Sequence, residues 1–403
     1  MKILVVQESD WLLRGPHQQH HLMERMALKG HEILVIDYEI IWKNKGKKEL
    51  FSRKQVFDNV SRFYEGANIT VVRPGIVKIP ILDKLSILFS YRDEIERQIE
   101  EFNPDVVVGF GILNTYLAMK LAKKRGIPFF YYLIDALHRL VSFKPFQLLA
   151  KEYEKKTLKG ADRVITINEA LKDYAVRLGA VPNETIVLGA GVDLHRFSPN
   201  VDGSTIRKKY GFESNDVVLF FIGWLYEFSG LREVAVGLTK MKKKYPNIKL
   251  MIVGEGDLFD ELEGIREKYG CEERIILTGQ QPYEKIPTLI SASDICLLPA
   301  YNNEVMQDIV PIKMYEYMAC GKPIISTSLP GIMKEFGEGN GIFYIDGPEK
   351  VLDRALELVD EGLIGVYGAK SRRIVEKYSW ESITDKFEKL IIGAENSMFI
   401  QPL

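Results

Sequence analysis

The chain of 403 residues is poor in several features that would point to particular classes of protein. It has three cysteines, Cys271, Cys296 and Cys320, which lie far apart among apolar residues. This pattern predicts reduced, buried thiols rather than a disulfide framework, and it favours a cytoplasmic protein. The net charge of −1 gives no overall argument for a nucleic-acid partner. No uninterrupted apolar segment is long enough to cross a bilayer, and the N-terminal MKILVVQESD is typical of a first strand rather than a signal peptide.

Motifs that hold metal ions are also missing. The sequence has no Asp-x-Asp pair, so a metal-bridged diphosphate site of that kind is not supported. His17 and His21 are one helical turn apart, but no glutamate lies between them in the zinc-protease pattern and no further ligand cluster follows. We therefore expect ordinary helix histidines or substrate contacts here, and we predict no metal site and no cofactor.

What the sequence does contain is a long alternation of apolar strand-like runs with helical stretches. The runs are apolar on both faces, which is typical of parallel strands covered by helices. They fall at 2–6, 33–37, 69–72, 106–109, 128–134, 163–167 and 185–188 and, after a turn-rich stretch, at 217–222, 249–253, 274–278, 295–298, 323–327 and 342–345. The pattern predicts an α/β protein with two doubly wound, Rossmann-like domains, 1–198 and 199–379, and a final helix at 380–396 that returns to the first domain.

The segment 308–326, DIVPIKMYEYMACGKPIIS, places a glutamate at an unusual position. A loop with Pro311 leads into a short helix that carries Lys313 and Glu316, and the sequence GKP ends that helix before a buried strand. Helix N-termini at the carboxyl edge of a parallel sheet bind anions, because their first N–H groups are unpaired and the helix dipole favours negative charge. We therefore predict that this segment holds a nucleotide, with the phosphates at the loop and the ribose near Glu316.

Loops after other strands of the second predicted domain supply further candidates, since ligands of open α/β sheets bind outside the carboxyl ends of the strands. Gly223 and Gly254 mark tight strand-to-helix turns that are open to a ligand, and Glu255 follows the second of them. Backbone N–H groups and the cations Lys313 and Arg232 could then meet the charge of a diphosphate.

The first predicted domain has two candidate loops. Arg14 and Gly15 follow its first strand, where Arg14 can reach a phosphate and Gly15 allows close approach of the backbone. Asp135 and His138 follow the strand at 128–134, and either could orient or deprotonate a hydroxyl, since histidine titrates near neutrality. The alternative, which stays open, is that Asp135 caps the next segment and His138 packs beside it.

A basic cluster at 43–54 carries six Lys or Arg against one Glu, with Trp42, Phe51 and Phe57 interleaved. Such runs are usually solvated loops. The alternative is contact with an anionic membrane surface or a lipid-phosphate acceptor, where each cation adds about 1 kcal/mol. The predicted location is therefore cytoplasmic, with peripheral attachment to the inner face of the membrane as the alternative.

In their order and spacing, several segments resemble glycosyltransferase family 4, retaining enzymes with the two-domain GT-B fold. The segments are GHEILVID (30–37), DRVITINEALKDY (162–174), GVDLHRFSP (191–199), IKLMIVGEGD (248–257), ASDICLLPA (292–300) and YEYMACGKPIIS (315–326). The resemblance implies two Rossmann-like domains that face a cleft. It further implies metal-independent transfer from a nucleotide-sugar donor, such as a UDP- or GDP-sugar, bound mainly by the C-terminal domain. The hydroxyl acceptor would be bound mainly by the N-terminal domain.

The resemblance also implies roles for residues of the donor site. Glu316 matches the second acid of the family's E-x7-E motif, which is expected at the ribose hydroxyls. The first acid falls at Asp308, whose side chain is one methylene shorter and is expected near the transferred sugar. Val310 and Pro311 are expected to contribute backbone contacts near the sugar and the phosphates. The backbone around Thr278 is expected to select the base.

The resemblance extends to the first predicted domain, and the sequence departs from the family at one pattern of the second. Gly15 matches the loop that approaches the donor from the first domain, and Asp135 or His138 lies near the family's cleft histidine. The family commonly has two diphosphate-binding cations in a G-R-L-x4-K-G pattern, but this chain has Trp224 and Ser229 there. The cations at 313 and 232 are the predicted substitutes, with the arginine at 14 as a more distant one.

The predicted function is therefore transfer of a sugar, with retention of configuration, to a hydroxyl of a glycan, a lipid-linked glycan or a small molecule. Two alternatives stay open. One is a 2-epimerase that acts on a nucleotide sugar. The other is a non-catalytic nucleotide-sugar-binding subunit, which the missing cation pair favours.

Overall fold

The computed structural model describes residues 1–13, 15–38, 50–79, 82–140 and 144–398. Arg14 and residues 43–49 of the basic cluster lie outside these ranges, so their roles stay predictions. The chain folds into two compact units, one formed by Met1–Ala190 with the helix that begins at Trp380, and the other by Gly191–Ser379. The domain boundary inferred from the sequence, after residue 198, falls inside the second unit.

The first unit is a twisted sheet covered by helices on both faces. Its strands are β1 (Lys2–Gln7), β2 (Glu32–Ile36), β3 (Gln55–Val60), β4 (Ile69–Arg73), β5 (Val106–Phe110), β6 (Phe129–Leu133), β7 (Arg163–Thr166) and β8 (Thr185–Val187). They lie in the order β3-β4-β2-β1-β5-β6-β7-β8, and every pairing is parallel except that of β3 with β4. The helices are α1 (Gln18–Leu28), α2 (Leu82–Glu101), α3 (Leu113–Lys124), α4 (Lys144–Gly160) and α5 (Glu169–Arg177).

The core of this unit follows from the apolar runs of the sequence. Every residue of β5 and β6 is buried, as expected of central parallel strands with helices on both faces. The edge strand β3 was not predicted, because its sequence QVFDNV is mixed in polarity and mostly exposed. Pairing with β4, rather than burial, stabilises it.

The second unit repeats the architecture on a smaller sheet. Its strands are β9 (Val217–Ile222), β10 (Ile248–Val253), β11 (Ile275–Leu277), β12 (Ile295–Leu298), β13 (Ile324–Thr327) and β14 (Ile342–Ile345). They are parallel in the order β11-β10-β9-β12-β13-β14. The helices are α6 (Ser204–Lys209), α7 (Leu231–Lys240), α8 (Phe259–Lys268), α9 (Ile286–Ser291), α10 (Ile312–Ala319), α11 (Pro330–Phe336), α12 (Val351–Asp360) and α13 (Ile364–Val375).

The order of this second sheet creates a topological switch point between β9 and β12. The chain leaves β9 toward β10 on one side, and later leaves β12 toward β13 on the other. Loops that depart in opposite directions open a crevice at the carboxyl ends of the two strands, where ligands of such sheets bind. The helix α10 follows the loop after β12 and therefore begins at this crevice.

The last helix, α14 (Trp380–Met398), packs on α1 of the first unit. Trp380 is 1% exposed and stacks on His21, with ring centroids 4.7 Å apart. Lys29 forms an ion pair with Glu388, and Nε2 of His31 lies 2.7 Å from the same carboxylate, so polar contacts reinforce the apolar one. None of the helices in the described part of the chain is long and apolar enough to cross a membrane. The three cysteines are buried free thiols, as predicted.

Candidate functional site

Helix α10 is fixed against the end of β9 by a buried tyrosine. The backbone N–H of Ile222 donates to the Tyr317 hydroxyl at 3.0 Å, and the Tyr317 ring packs edge-on against Phe220. Pro311 adopts an extended conformation just before the helix, and its carbonyl accepts from the N–H of Met314 at 3.0 Å to close the first turn. The first turn of α10 therefore lies at the carboxyl edge of β9.

Lys313 lies in that first turn, beside the turn after β9. Its Nζ is 4.2 Å from the centroid of the Phe221 ring, which is cation–π distance. Gly223 has φ +142°, and a Cβ added to it would overlap the same Nζ. Burial lowers the pKa of Lys313 to about 8, although the neighbouring Glu316 carboxylate acts in the opposite direction. The ammonium is therefore held against the glycine turn and loses its charge more readily than an ordinary lysine.

Glu316, one turn further along α10, is buried among groups that stabilise its charge. It is 6% exposed, and burial raises the pKa of its carboxyl to about 7. A hydrogen bond from Tyr283 and the charges of Lys313 and Arg196 hold that pKa down. The Arg196 guanidinium lies 5.1 Å from the centroid of the Tyr283 ring. The carboxylate thus lies in a built polar cluster rather than in an apolar core.

The turns after β9 and β10 interlock. The N–H of Gly223 donates to the Val253 carbonyl at 3.0 Å, and the N–H of Leu225 donates to the Glu255 carbonyl at 2.9 Å. Gly254 has φ +139°, and a Cβ there would overlap the Gly223 carbonyl oxygen. Only glycine allows such approach at both turns, so the two loops are built as one backbone surface.

The next strand adds to this surface. The N–H of Gly254 donates to the Gly279 carbonyl at 3.0 Å, one residue beyond Thr278. The Thr278 hydroxyl donates to the same carbonyl at 2.9 Å, and the Thr278 carbonyl accepts from the Gln281 amide at 2.9 Å. Glu255 keeps its side chain exposed, so its structural contact is made by its backbone.

Asp308 lies in a turn before α10 and is partly exposed. The preceding residue, Gln307, accepts from the N–H of Gly331 at 2.7 Å, which ties the turn to the start of α11. Val310 is 4% exposed and anchors the loop in the core. The segment from Asp308 to Pro311 is therefore held at both ends by backbone contacts and buried apolar packing.

The two cations predicted to replace the missing pair have different surroundings. Lys313 lies beside Gly223, whereas Arg232 forms an exposed ion pair with Glu261 of α8. Trp224 is 53% exposed, and Ser229 is buried with no hydrogen-bond partner for its hydroxyl among the described residues. Lys313 is therefore the better placed of the two predicted cations.

In the first unit, His138 lies in a short 3₁₀ helix at Leu137–Leu140 and is 7% exposed. Its Nδ1 is 2.8 Å from a carboxylate oxygen of Glu154 and 3.0 Å from the Tyr174 hydroxyl. The Tyr174 ring stacks on the imidazole, with centroids 6.0 Å apart. His138 is therefore held in one orientation by α4 and α5 rather than packed loosely on the surface.

The other candidates of the first unit have local contacts. Asp135 accepts from the N–H of Ala136 at 2.7 Å. A Cβ on Gly15 would lie 2.9 Å from the His20 ring, so close packing with that histidine accounts for this glycine. His21 is buried and bonds the Tyr64 hydroxyl at 2.7 Å. Within the described ranges no group of three or more His, Cys, Asp or Glu side chains is placed to hold a metal ion.

The described part of the basic cluster contributes to the fold. Lys54 forms an ion pair with the buried Glu94 at 3.0 Å, while Phe51 is 66% exposed. Three residues of these clusters were not predicted from the sequence: Arg196, Tyr283 and Glu154. Arg196 lies in GVDLHRFSP, one of the segments that resemble the family, and this position could have indicated a role in the site. Nothing in the sequence marks Tyr283 or Glu154.

Two family models match the chain, and together they span most of it. Residues 18–196 match the model described as Glycosyltransferase Family 4, and residues 202–379 match the model described as Glycosyl transferases group 1. The chain belongs to glycosyltransferase family 4.

Curated relatives of this family 4 protein include an uncharacterized glycosyltransferase of Methanocaldococcus jannaschii, 23% identical over 60% of this chain and 60% of that protein. The D-inositol 3-phosphate glycosyltransferase of Rhodococcus jostii is 25% identical over 66% of this chain and 61% of that protein. The chain therefore matches roughly three-fifths of the length of these relatives.

Solved structures resemble the family 4 protein over nearly its whole length. HepE of Anabaena, crystallised in complex with UDP, has a TM-score of 0.74 at 16% identity, covering 98% of this chain and 100% of that one. Sucrose-phosphate synthase of Thermosynechococcus elongatus has a TM-score of 0.77 at 15% identity, covering 98% and 99%. The predicted α/β fold class, GT-B with two Rossmann-like domains, is confirmed.

Proposed function

We propose that this family 4 protein is a glycosyltransferase that moves a sugar from a nucleotide-sugar donor to a hydroxyl acceptor, with retention of configuration and without a metal ion. The observation that carries the proposal is the pair of Lys313 and Glu316 on successive turns of α10, at the switch point of the second sheet. A cation and a carboxylate so arranged match the two chemical ends of a nucleotide's ribose phosphate.

The charges of Lys313 and Glu316 indicate which part of the nucleotide each residue binds. Phosphate oxygens accept from the Lys313 ammonium and from backbone N–H groups at the start of α10, where the helix dipole adds attraction. Ribose hydroxyls donate to the Glu316 carboxylate. The turns at Gly223 and Gly254 present backbone without side chains, which lets a diphosphate approach closely.

A protein with the same fold has been crystallised with a sugar nucleotide. HepE of Anabaena has been crystallised in complex with UDP-glucose, which supports a sugar nucleotide as the donor class. We propose the same class here and assign the backbone near Thr278 to the base. Val310 and Pro311 are assigned to the sugar and phosphates.

For the transfer step we propose that the acceptor approaches the sugar ring on the same face from which the diphosphate leaves. The acceptor oxygen bonds to the anomeric carbon as the bond from that carbon to the leaving phosphate oxygen breaks, and the acceptor's proton passes to the leaving phosphate. Because the diphosphate accepts the proton, no separate protein base is required. Asp308 and His138 are assigned to sugar or acceptor hydroxyls, with Asp135 supporting the loop beside His138.

One observation favours a second candidate, a non-catalytic binding subunit. Trp224 and Ser229 supply no positive charge near the turn after β9, and Arg232 is paired with Glu261. Charge that develops on a leaving diphosphate would then be met mainly by Lys313. A protein of this kind would bind the nucleotide sugar without turning it over.

Incubation of the protein with UDP- and GDP-sugars, with and without hydroxyl acceptors, decides among the candidates. Release of nucleoside diphosphate only when acceptor is present supports transfer, and an altered sugar nucleotide without acceptor identifies the 2-epimerase. Binding without any turnover supports the subunit. The anomeric proton coupling of the product tests retention, and unchanged turnover in EDTA tests metal independence.

A further inference from the structure

Helix α4 begins with a stretch that the first unit does not bury. From Lys144 to Tyr153 every side chain is at least partly exposed, and the buried residues of the helix begin at Glu154. Leu148 is 70% exposed and Leu149 is 50% exposed. A helix that covers a sheet normally turns its large apolar residues to the core. A cluster of them on the outside marks an interaction surface.

Phe146 adds to the same surface. It is 43% exposed and lies one turn before Leu149, at the i, i+3 spacing that brings helix side chains together. Three large apolar side chains are therefore presented within four consecutive residues at the start of the helix.

Lysines surround this apolar stretch. Lys144 and Lys151 are exposed and lie at i−4 and i+3 from Leu148, so they flank its side chain on the helix surface. Lys155 and Lys156 continue the positive charge over the next turn. An apolar centre with a basic margin complements an anionic surface that has an apolar interior.

We propose that the first half of α4, Lys144–Tyr153, binds the surface of an anionic lipid bilayer. Leu148 and Leu149 enter the level of the headgroups, and the flanking lysines contact the anionic headgroups themselves. This stretch is separate in sequence from the basic cluster at 43–54. The proposal goes beyond the transfer reaction and does not depend on it.

Charge makes a second copy of this chain a poorer occupant. A twofold dimer through this face would pair each patch with an identical patch. The exposed lysines of one copy would then meet the same lysines of the other, with Glu152 as the one exposed acid in the described stretch from 144 to 156. Anionic headgroups would neutralise the charge of those lysines, whereas the lysines of a second copy would repel them.

The position of the patch has a consequence for His138. Glu154, which holds His138, lies on the same helix six residues after Leu148, or about 9 Å along its axis. Membrane contact through this helix would therefore bring His138 close to the lipid surface. If the proposed function holds, this geometry fits an acceptor that remains in the membrane.

Vesicle sedimentation tests the proposal without donor or turnover. The full chain is mixed with vesicles of phosphatidylglycerol and phosphatidylcholine in equal parts, or of phosphatidylcholine alone. We expect binding to the anionic vesicles that weakens with salt. Leu149→Glu should weaken it by about tenfold or more, because it removes buried apolar area and adds a like charge. Lys151→Glu should weaken it by about fivefold or more.

Leu28→Glu is the matched control, since Leu28 is exposed to the same 50% on α1. It should leave vesicle binding unchanged, and circular dichroism should show that both glutamate variants keep the fold. Equal binding by Leu149→Glu and the parent protein overturns the proposal, as does no binding of the parent to anionic vesicles. A parent dimer in light scattering that Leu149→Glu dissociates would also overturn it and assign the surface to a second copy.

Discussion

The carboxylate of Glu154 lies 2.8 Å from Nδ1 of His138, and both groups are buried in the first unit. A carboxylate only accepts, so this contact places an imidazole proton on Nδ1, and in that tautomer Nε2 is the acceptor. The Tyr174 hydroxyl donates to the same carboxylate oxygen. In the proposed function, Nε2 of His138 accepts a hydrogen bond from a substrate hydroxyl.

Replacing Glu154 with Gln should disturb that arrangement without changing volume. We expect kcat to fall by up to about tenfold, which corresponds to one lost hydrogen bond to a substrate hydroxyl, with little change in the donor KM. Nitrogen-15 NMR of the histidine side chains, assigned with His138→Gln, should show the loss of the Nδ1–H tautomer. The control is Glu152→Gln, an exposed position on the same helix. If Glu154→Gln keeps the tautomer and the rate, the glutamate does not position His138.

Replacing Glu316 with Ala should weaken donor binding. Loss of a hydrogen bond to a charged group costs about 1.5–3 kcal/mol, so the donor KM should rise by roughly 10- to 100-fold. Steady-state kinetics at varied donor concentration measures this, and thermal shift with the same nucleotide sugar measures binding directly. Glu272→Ala, at an exposed position of the same unit, should change neither. Unchanged donor affinity in Glu316→Ala would remove the ribose assignment.

Donor affinity should also depend on pH through Lys313. Its lowered pKa of about 8 means that the ammonium is present below pH 8 and is lost as the pH rises through that value. Because phosphate binds the charged form, the donor Kd should increase above pH 8, by at most about tenfold per pH unit. Titration calorimetry from pH 6.5 to 9.5 would show the break. A separate loss of affinity is expected toward pH 6.5, because the Glu316 carboxyl, with a pKa of about 7, takes up a proton there.

Lys313→Arg is the control for that break. Arginine stays charged throughout this range, so the variant should bind donor with no change near pH 8. A break that persists in Lys313→Arg would assign the titration to another group.

Gly223→Ala should damage both stability and donor binding. The added Cβ would overlap Nζ of Lys313 and force a residue with a side chain to φ +142°. Strain of this kind costs about 1–3 kcal/mol. Gly339→Ala is the comparison, because Gly339 has φ +70° and no heavy atom within 4 Å of a Cβ built there. Urea unfolding should show a lower free energy of unfolding in both variants. Donor affinity should fall only in Gly223→Ala.

Much of the architecture was predictable because the strands are buried on both faces. Continuous apolar runs such as VVVGF at Val106–Phe110 mark parallel central strands with little ambiguity. The strand Gln55–Val60 was not predictable, since edge strands owe their pairing to a neighbour rather than to their own apolarity.

The candidate site was predictable only in part. Lys313 and Glu316 could be found because a helix start after a buried strand has fixed chemistry. Their partners could not, since Arg196 and Tyr283 reach Glu316 from segments far away in sequence. The pairing of Arg232 with Glu261 likewise depends on the packing of α7 against α8.

The ends of the second unit are joined to each other. The N–H of Val192 donates to the Tyr378 carbonyl at 2.9 Å, and Val192 pairs with Ser379 as a parallel bridge. The next residue, Trp380, belongs to the core of the first unit, and removal of such a buried side chain costs about 3–5 kcal/mol. The first unit is therefore discontinuous in the chain, and residues 1–190 acquire their last helix only from the segment that follows the whole second unit.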